Sequence, residues 1–365
     1  MGNVVTNKMR IWIDICHTPQ YNFYRNFILK LIRDGNDVYI TILLRGKTPQ
    51  IVHKELTTIL ATMPKECKKR VHTYEIGRHR MTKWSALIEA NLLRLCSLFF
   101  WRLIHQVDVA FANGMQPAII QALFQGKSYS FDDDPQTIDF RPKARYNTEC
   151  NFCLYEDAAI SAYGGKVQVL RCLKEWAYLA PNVFTPNHQV LGKYGVKPKE
   201  YIFLREVSVG TINYASQAPQ AILAVKDLIA KLNMKVLFSL EEKHRRNEYP
   251  EDWILLQEPI EDIHSLIYYA AGLVSSGDSM AREAALLGIP AYYLGTRHSM
   301  PANLAAAKVA NLQNELTMPF EKWLGELNEK SVEERMKAQE ELRKKIDEEF
   351  IDINAYMMSL VEGVK

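Results

Sequence analysis

The chain has 365 residues, 48% hydrophobic and 24% charged, an ordinary globular balance with length enough for two cores. A net charge of +3 is too small to argue for nucleic acid as a partner. Nine scattered histidines without HExxH spacing give no metal signature. Six cysteines (Cys16, Cys67, Cys96, Cys150, Cys153, Cys172) suit a reducing cytoplasm better than a disulfide framework.

The first eight residues are polar and carry no secretory signal. Arg10 to Ile15 is a β-rich apolar run, followed by a helix from about Tyr21 to Arg33 that Gly35 stops. Asp37 to Leu43 is the next strand, with further strands at Arg70 to Tyr74, Val107 to Ala112 and Ser128 to Phe131. Helices are expected at Trp84 to Ile104 and Gln116 to Phe124. The pattern restarts after Pro181 to Pro198. Tyr201 to Leu204 opens a second set, with a helix (Ala218 to Leu232), strands (Lys235 to Ser239, Trp253 to Leu256) and a helix (Ile260 to Ala270). Such alternation predicts an α/β fold of two Rossmann-like domains, residues 9–183 and 184–330, facing a central cleft where the strands end. Residues 331–365 form C-terminal helices, charged through Phe350 with Glu/Lys pairs and then more apolar, able to pack back on the first domain.

Trp84 to Ile104 is rich in Leu, Phe and Trp, but Glu89, Arg94 and Arg102 argue against a membrane-spanning helix. It follows a basic stretch holding Lys68, Lys69, Arg70, Arg78, Arg80 and Lys83. Two readings fit: a buried domain helix with a solvated basic loop, which is the favoured one, or attachment to an anionic membrane surface. Localisation is then cytoplasmic, with peripheral contact to the inner face of a membrane under the second reading.

Several strand ends carry reactive side chains. His17 follows the first strand, where an imidazole titrating near neutrality can take a proton from an attacking hydroxyl; it can also simply open the next helix. Asp14, on the strand itself, reads as structural. Ser130-Phe-Asp-Asp-Asp-Pro135 groups acids at another strand end, so Asp132 or Asp133 facing the cleft can act as a base, bind sugar hydroxyls or, with less support, chelate a cation, or form a solvated turn. Lys174 and Glu175 precede the crossover and line the cleft or pack the hinge. Arg205 and Ser208 follow the first strand of the second domain; Arg205 can fork onto a diphosphate or form an Arg–Glu surface pair. Cys150-Asn-Phe-Cys153 is a lone CxxC without a second pair. Glycine-rich loops of the GxGxxG, Walker and GxSxG types are absent, which counts against dehydrogenases, P-loop NTPases and α/β-hydrolases.

The most informative stretch runs from Ala271 to Pro290. It reads as a buried strand, a turn Ser275-Ser276-Gly277-Asp278-Ser279, a short helix stopped at Gly288-Ile289-Pro290, and a strand from Ala291 to Leu294. Unpaired amides at the helix start favour an anion. Glu283 lies one turn beyond Ser279, where it can accept hydrogen bonds from a diol such as ribose. A capped helix in any α/β protein reads the same way by spacing alone.

Five segments together resemble one family: MRIWIDICHTPQYNFYRNFI, SFDDDP, LKEWAYLAPNVFTPNHQVLGKYGV, FLREVS and SSGDSMAREAALLGIPAYYLGT. It is an uncharacterised bacterial and archaeal domain-of-unknown-function family of the GT-B-like glycosyltransferase and UDP-N-acetylglucosamine 2-epimerase superfamily. The resemblance implies two GT-B domains with a nucleotide-sugar held mainly by the second. By position it implies phosphate binding by Ser276, Gly277 and Ser279, a ribose grip by Glu283, and a catalytic base at His17. Relatives read HPAHVHFF where this chain has HTPQYNFY, so Gln20 and Asn22 replace two further histidines. The turn reads SGDS where relatives have GGGT or GDGT.

The combined expectation is a metal-independent, cofactor-free glycosyltransferase with a nucleotide-sugar donor and a sugar or lipid-linked acceptor, serving surface polysaccharide or glycolipid assembly. A non-hydrolysing sugar-nucleotide 2-epimerase or hydrolase is the second reading, and a non-catalytic nucleotide-sugar-binding protein the third.

Overall fold

The computed structural model describes every residue except 1–7, 81, 83, 136–140, 157–159, 161–164, 210–216, 218, 258–259, 261 and 365. The chain divides into two units, Met1–Tyr178 with Ile351–Lys365, and Leu179–Phe350. In the first, β1 (Arg10–Ile15), β2 (Asp37–Arg45), β3 (Val71–His79), β4 (Val109–Ala112), β5 (Lys127–Asp132), β6 (Glu149–Cys153) and β7 (Val167–Leu170) form one sheet. Its order is β3-β2-β1-β4-β5-β6-β7, and every pairing is parallel. Ile11, Trp12 and Ile13 are fully buried, as expected where helices cover both faces of a parallel sheet.

The second unit repeats the plan. Its strands are β8 (Tyr201–Glu206), β9 (Lys235–Leu240), β10 (Ile254–Leu255), β11 (Gly272–Ser275), β12 (Ala291–Tyr293) and β13 (Gln313–Asn314). They are ordered β10-β9-β8-β11-β12-β13, again parallel throughout. Both sheets are Rossmann-like, and each reverses its order beside its first strand, between β1 and β4 and between β8 and β11. At such switch points the carboxyl-end loops diverge and leave room for a ligand. The loops after β1 and β11, which carry His17 and the Ser276 turn, both open there.

The helix after β1 runs Thr18–Arg33, starting before the expected Tyr21 because Pro19 suits a first helical turn. It buries Tyr21, Tyr24, Ile28 and Leu31 at helical spacing and ends at Asp34, before Gly35 at φ +89°. Trp84 to Ile104 is not one α-helix: Ser85–Leu93 is a π-helix that continues as an α-helix over Arg94–His105. The single helix expected to begin at Ala218, which lies outside the described residues, is two short turns, Ala221–Ala224 and Lys226–Ile229. Cys150 and Cys153 fall on β6, a strand the sequence reading passed over. Three positions apart on a strand, they point to opposite faces and do not form a chelating pair.

The helix Val332–Glu349 belongs to the second unit and starts with a capping box between Ser331 and Glu334. Lys337–Glu341 and Lys344–Glu348 pairs, both at 3.9 Å, lie on its exposed side. Its buried side is polar: Arg335 donates to Leu327 O (2.8 Å), Gln339 to Leu287 O (2.9 Å) and Arg343 to Leu179 O (2.6 Å). The last helix, Ile353–Glu362, belongs to the first unit, where the Tyr356 hydroxyl donates to Glu149 Oε1 at 2.7 Å.

Gly288 closes the helix after β11 with φ +77°, and a Cβ there would stand 2.6 Å from Gln339 O. Gly288→Ala therefore combines backbone strain with a backbone clash and should cost about 1–3 kcal/mol. Thermal unfolding should show a Tm several degrees lower; an unchanged Tm would refute this account of how the Val332–Glu349 helix docks.

Candidate active site

In the second unit, the helix Asp278–Leu286 begins directly after β11 with Gly277 as its extended N-cap and no side-chain cap. The turn is fixed from behind. Ser275 Oγ accepts from Gly277 N (3.0 Å) and donates to Gly277 O (2.7 Å). Ser276 is fully buried, its Oγ accepting from Val207 N at 2.9 Å while its own amide donates to Arg205 O at 3.0 Å. Ser276 thus stitches the end of β11 to the end of β8. Ser279 is the exposed hydroxyl of the turn. Asp278, the first helical residue, is buried and holds Arg297 at 2.8 Å and Arg282 at 3.6 Å. Glu283, nine-tenths buried, faces His264 Nε2 at 3.4 Å.

Arg205, next to last in β8, donates to Ser239 Oγ at 2.7 Å and to Glu241. Glu241 also accepts from Ser208 N (2.8 Å), and the Ser208 hydroxyl donates to Glu242 at 2.8 Å. That hydroxyl, ahead of Arg245, holds the Glu242 carboxyl below its usual range. Arg205 is therefore in an Arg–Glu pair, its partner Glu241 lying just beyond the neighbouring strand β9. Glu206 is buried, and burial pushes its pKa up despite hydrogen bonds from Ile222 N and the Tyr249 hydroxyl.

In the first unit, His17 is the N-cap of Thr18–Arg33 at the end of β1. An Arg45 N–H from the end of β2 points at its Nε2. Burial first, then the charge of Arg45, drives the imidazole pKa down to about 4. His17 is consequently neutral at physiological pH, with its lone pair engaged. Gln20, at the second histidine position of the resembled family, accepts from Cys16 N at 2.7 Å and shapes the same loop.

Asp132 and Asp133 do not stand as free acids. Asp132 pairs with Lys143 and accepts from the Asp133 amide at 2.9 Å and from the Asp134 amide at 3.4 Å, the second contact being that of an Asx turn. Asp133 takes Lys174 Nζ at 3.2 Å. Burial lowers the Lys174 pKa, but the two aspartates outweigh it and the net shift is upward. Glu175 beside it is buried. His17, Lys174, Asp132 and Asp133 thus all belong to the first unit, and Arg205, Ser208, Ser276, Gly277, Ser279 and Glu283 to the second. Sequence reasoning missed Arg45, Lys143, Glu241, His264 and Arg297, because each is tied to its partner by strand pairing or helix packing and by no local motif. Among the described residues, no cluster of three or more His, Cys, Asp or Glu is placed to hold a metal ion.

The class defined by this architecture is the GT-B-like fold, two Rossmann-like domains in one chain. The chain is similar over nearly its whole length to the spinosyn forosaminyltransferase SpnP: 12% identity, 98% of this chain and 99% of that one, TM-score 0.63. It is similar also to UDP-GlcNAc 2-epimerase from Neisseria meningitidis bound to UDP-GlcNAc (11% identity, 96% and 98% covered, TM-score 0.61). A third likeness is to Acinetobacter baumannii MurG (12% identity, 97% and 99% covered, TM-score 0.55). What these proteins share with the chain is the fold. No family model and no curated protein matches the sequence.

The His17–Arg45 contact gives a direct test. The folded-state pKa lies below the free value of 6.5, so the stability gained from a neutral His17 is whole above pH 6.5. It declines as pH falls toward about 4. NMR titration should place the His17 midpoint near 4, and Arg45→Gln should move it upward. A midpoint that ignores the substitution would mean Arg45 does not act on the imidazole.

Proposed function

We propose that the protein is a sugar-nucleotide-dependent glycosyltransferase that needs no metal or other cofactor and acts on a sugar or lipid-linked acceptor in surface polysaccharide or glycolipid assembly. The observation that carries this reading is the uncapped helix Asp278–Leu286 at the β8/β11 switch point, with Glu283 one turn inside it. The helix amides and exposed Ser279 hydroxyl would receive the donor diphosphate, assisted by Arg205 and Ser208. Glu283, positioned by His264, would accept hydrogen bonds from the ribose diol. In the reaction, His17 Nε2 takes the proton of the acceptor hydroxyl as that oxygen attacks the anomeric carbon. The nucleoside diphosphate leaves with the bonding electrons, and the helix N-terminus stabilises its charge.

The epimerase reading rests on the grouped acids Asp132 and Asp133. Both are held by lysines, an arrangement that suits binding or orientation. All six cysteines are free thiols, in keeping with a cytoplasmic setting.

Purified protein incubated with UDP-, GDP- and CMP-sugars separates the readings. Acceptor-dependent release of nucleotide is expected; isomerised donor would indicate the epimerase, and binding without turnover a non-catalytic binder. By calorimetry Glu283→Ala should lose donor binding. His17→Ala should keep that binding and lose turnover by about 10²–10⁴-fold. The reverse pattern would overturn the roles assigned to the two residues.

A further inference from the structure

The π-helix and α-helix between Trp84 and His105 leave an unusual surface. Trp84, Leu87, Leu92, Phe100 and Ile104 are each 60 to 75% exposed, while Ala90, Arg94, Leu98 and Trp101 on the other side are buried. Trp84 and Ile88 share the Phe100 face only because the first half is a π-helix. At α-helical pitch, about 100° per residue, Trp84 and Ile88 would lie roughly 160° and 120° around from Phe100. The wider i→i+5 turns of Ser85–Leu93 rotate them back onto the Phe100 face. At about 1.5 Å per residue the stripe is roughly 30 Å long. No helix among the described residues is long and apolar enough to cross a membrane, so the stripe is a surface feature.

Its surroundings are cationic. From Lys65 to His105 the sequence holds nine Lys and Arg against three Glu; Arg94 is spent on Asp14 and Arg102 is buried, while Lys65, Lys68, Lys69, Arg78 and Arg80 are exposed. Arg78 and Arg80 are exposed where β3 leads into the stripe, and Arg80 reaches Glu89 within it at 3.4 Å. At the other end, the His105 ring lies 4.7 Å from Tyr74 on β3, so the chain has run back along that strand. Lys65, Lys68 and Lys69 are exposed just before β3 begins. Lys83 lies outside the described residues. Basic side chains thus stand near both ends of an apolar band that starts with a tryptophan.

We infer that this face docks the protein onto the surface of an anionic lipid bilayer, the apolar stripe entering the headgroup boundary while the flanking Lys and Arg meet lipid phosphates. Apolar area and cationic charge are the two contributions that hold such helices in an interface. A protein partner offering only an apolar groove would supply nothing to the exposed Lys and Arg at its edges. The inference concerns the first unit alone and does not rest on the transferase reading. Of the two sequence alternatives for Trp84 to Ile104, it takes the lipid one.

Co-sedimentation of the full chain with phosphatidylglycerol–phosphatidylcholine vesicles tests it. Binding is expected to fall by ~10-fold or more with pure phosphatidylcholine, or with a Leu92→Ser, Phe100→Ser, Ile104→Ser triple variant. Arg78→Gln with Arg80→Gln should weaken binding and reduce its sensitivity to salt. All five positions are exposed, so each variant should keep the parent Tm. Failure of the parent to sediment, or unchanged sedimentation of the triple variant, would overturn the inference. So would a parent that is dimeric in solution and becomes monomeric on those serine substitutions, since the stripe would then join two copies of the chain.

Discussion

A carboxylate and a guanidinium buried side by side at the end of β1 organise the first unit. Asp14 and Arg94 meet at 2.6 Å with neither side chain exposed. Asp14 also accepts from the Thr41 hydroxyl (2.5 Å), tying β1 to β2, while Arg94 donates to Ile76 O on β3 (2.9 Å) and to Gln116 (2.6 Å). Gly77, at φ +80°, has no side chain because a Cβ would stand 2.6 Å from the Arg94 side chain. Losing either member would strand a buried charge, at a cost of about 3–5 kcal/mol. Two separate features hang on this pair. Asp14 fixes the strand end that delivers His17, and Arg94 sits where the π-helix becomes an α-helix and so sets which residues turn outward. The same surroundings push the Cys16 thiol up to about 12, by burial and by Asp14, which keeps it protonated and out of the chemistry.

The second unit is organised by short side chains. Ser275 and Ser276 turn inward and satisfy amides at the ends of β8 and β11, so the backbone of the turn is set before any ligand arrives. Arg205 and Ser208 are likewise held, by Glu241 and Glu242. An anion at this helix start would meet backbone amides that need little reorganisation, whereas Arg205 and Ser208 would first have to leave their glutamates. Asp278 already places a carboxylate in the first helical turn, balanced by Arg282 and Arg297. Ser279 is the turn's outward-facing residue, which makes its position, more than that of Ser276, the one a ligand would meet first.

The alternation of apolar runs with amphipathic helices made the α/β class and the two-domain order readable, because buried parallel strands need continuous apolar sequence. β6 escaped because it buries Asn151, which no apolar pattern reveals; the Tyr356 hydroxyl from the far end of the chain lies 2.9 Å from its Oδ1. The Val332–Glu349 helix looked solvated because its inner face is Arg335, Gln339 and Arg343, each spending its charge or amide on backbone carbonyls. At the site, positions at strand ends were visible and partners were not. Arg45 is 28 residues from His17 and reaches it only because β1 and β2 lie side by side. The π-helix was invisible for a different reason: its residues suit an α-helix, and tertiary packing chooses the wider turn.

The Arg45–His17 contact also constrains how the proposed chemistry can proceed. A general base works best with a pKa near ambient pH and an available lone pair, and in the resting state His17 has neither. An acceptor hydroxyl that merely displaces the Arg45 N–H frees the lone pair but leaves the cation beside it, and the base stays weak. An anionic group that draws Arg45 away does both at once, freeing Nε2 and removing the charge that opposes its protonation. By linkage, whatever takes Arg45 raises the His17 pKa, and an imidazolium on His17 tightens the hold on that anion in return. The titration midpoint of His17 is therefore a readout of what Arg45 is bonded to, and a transferase that uses this base works fastest on acceptors able to compete for that arginine.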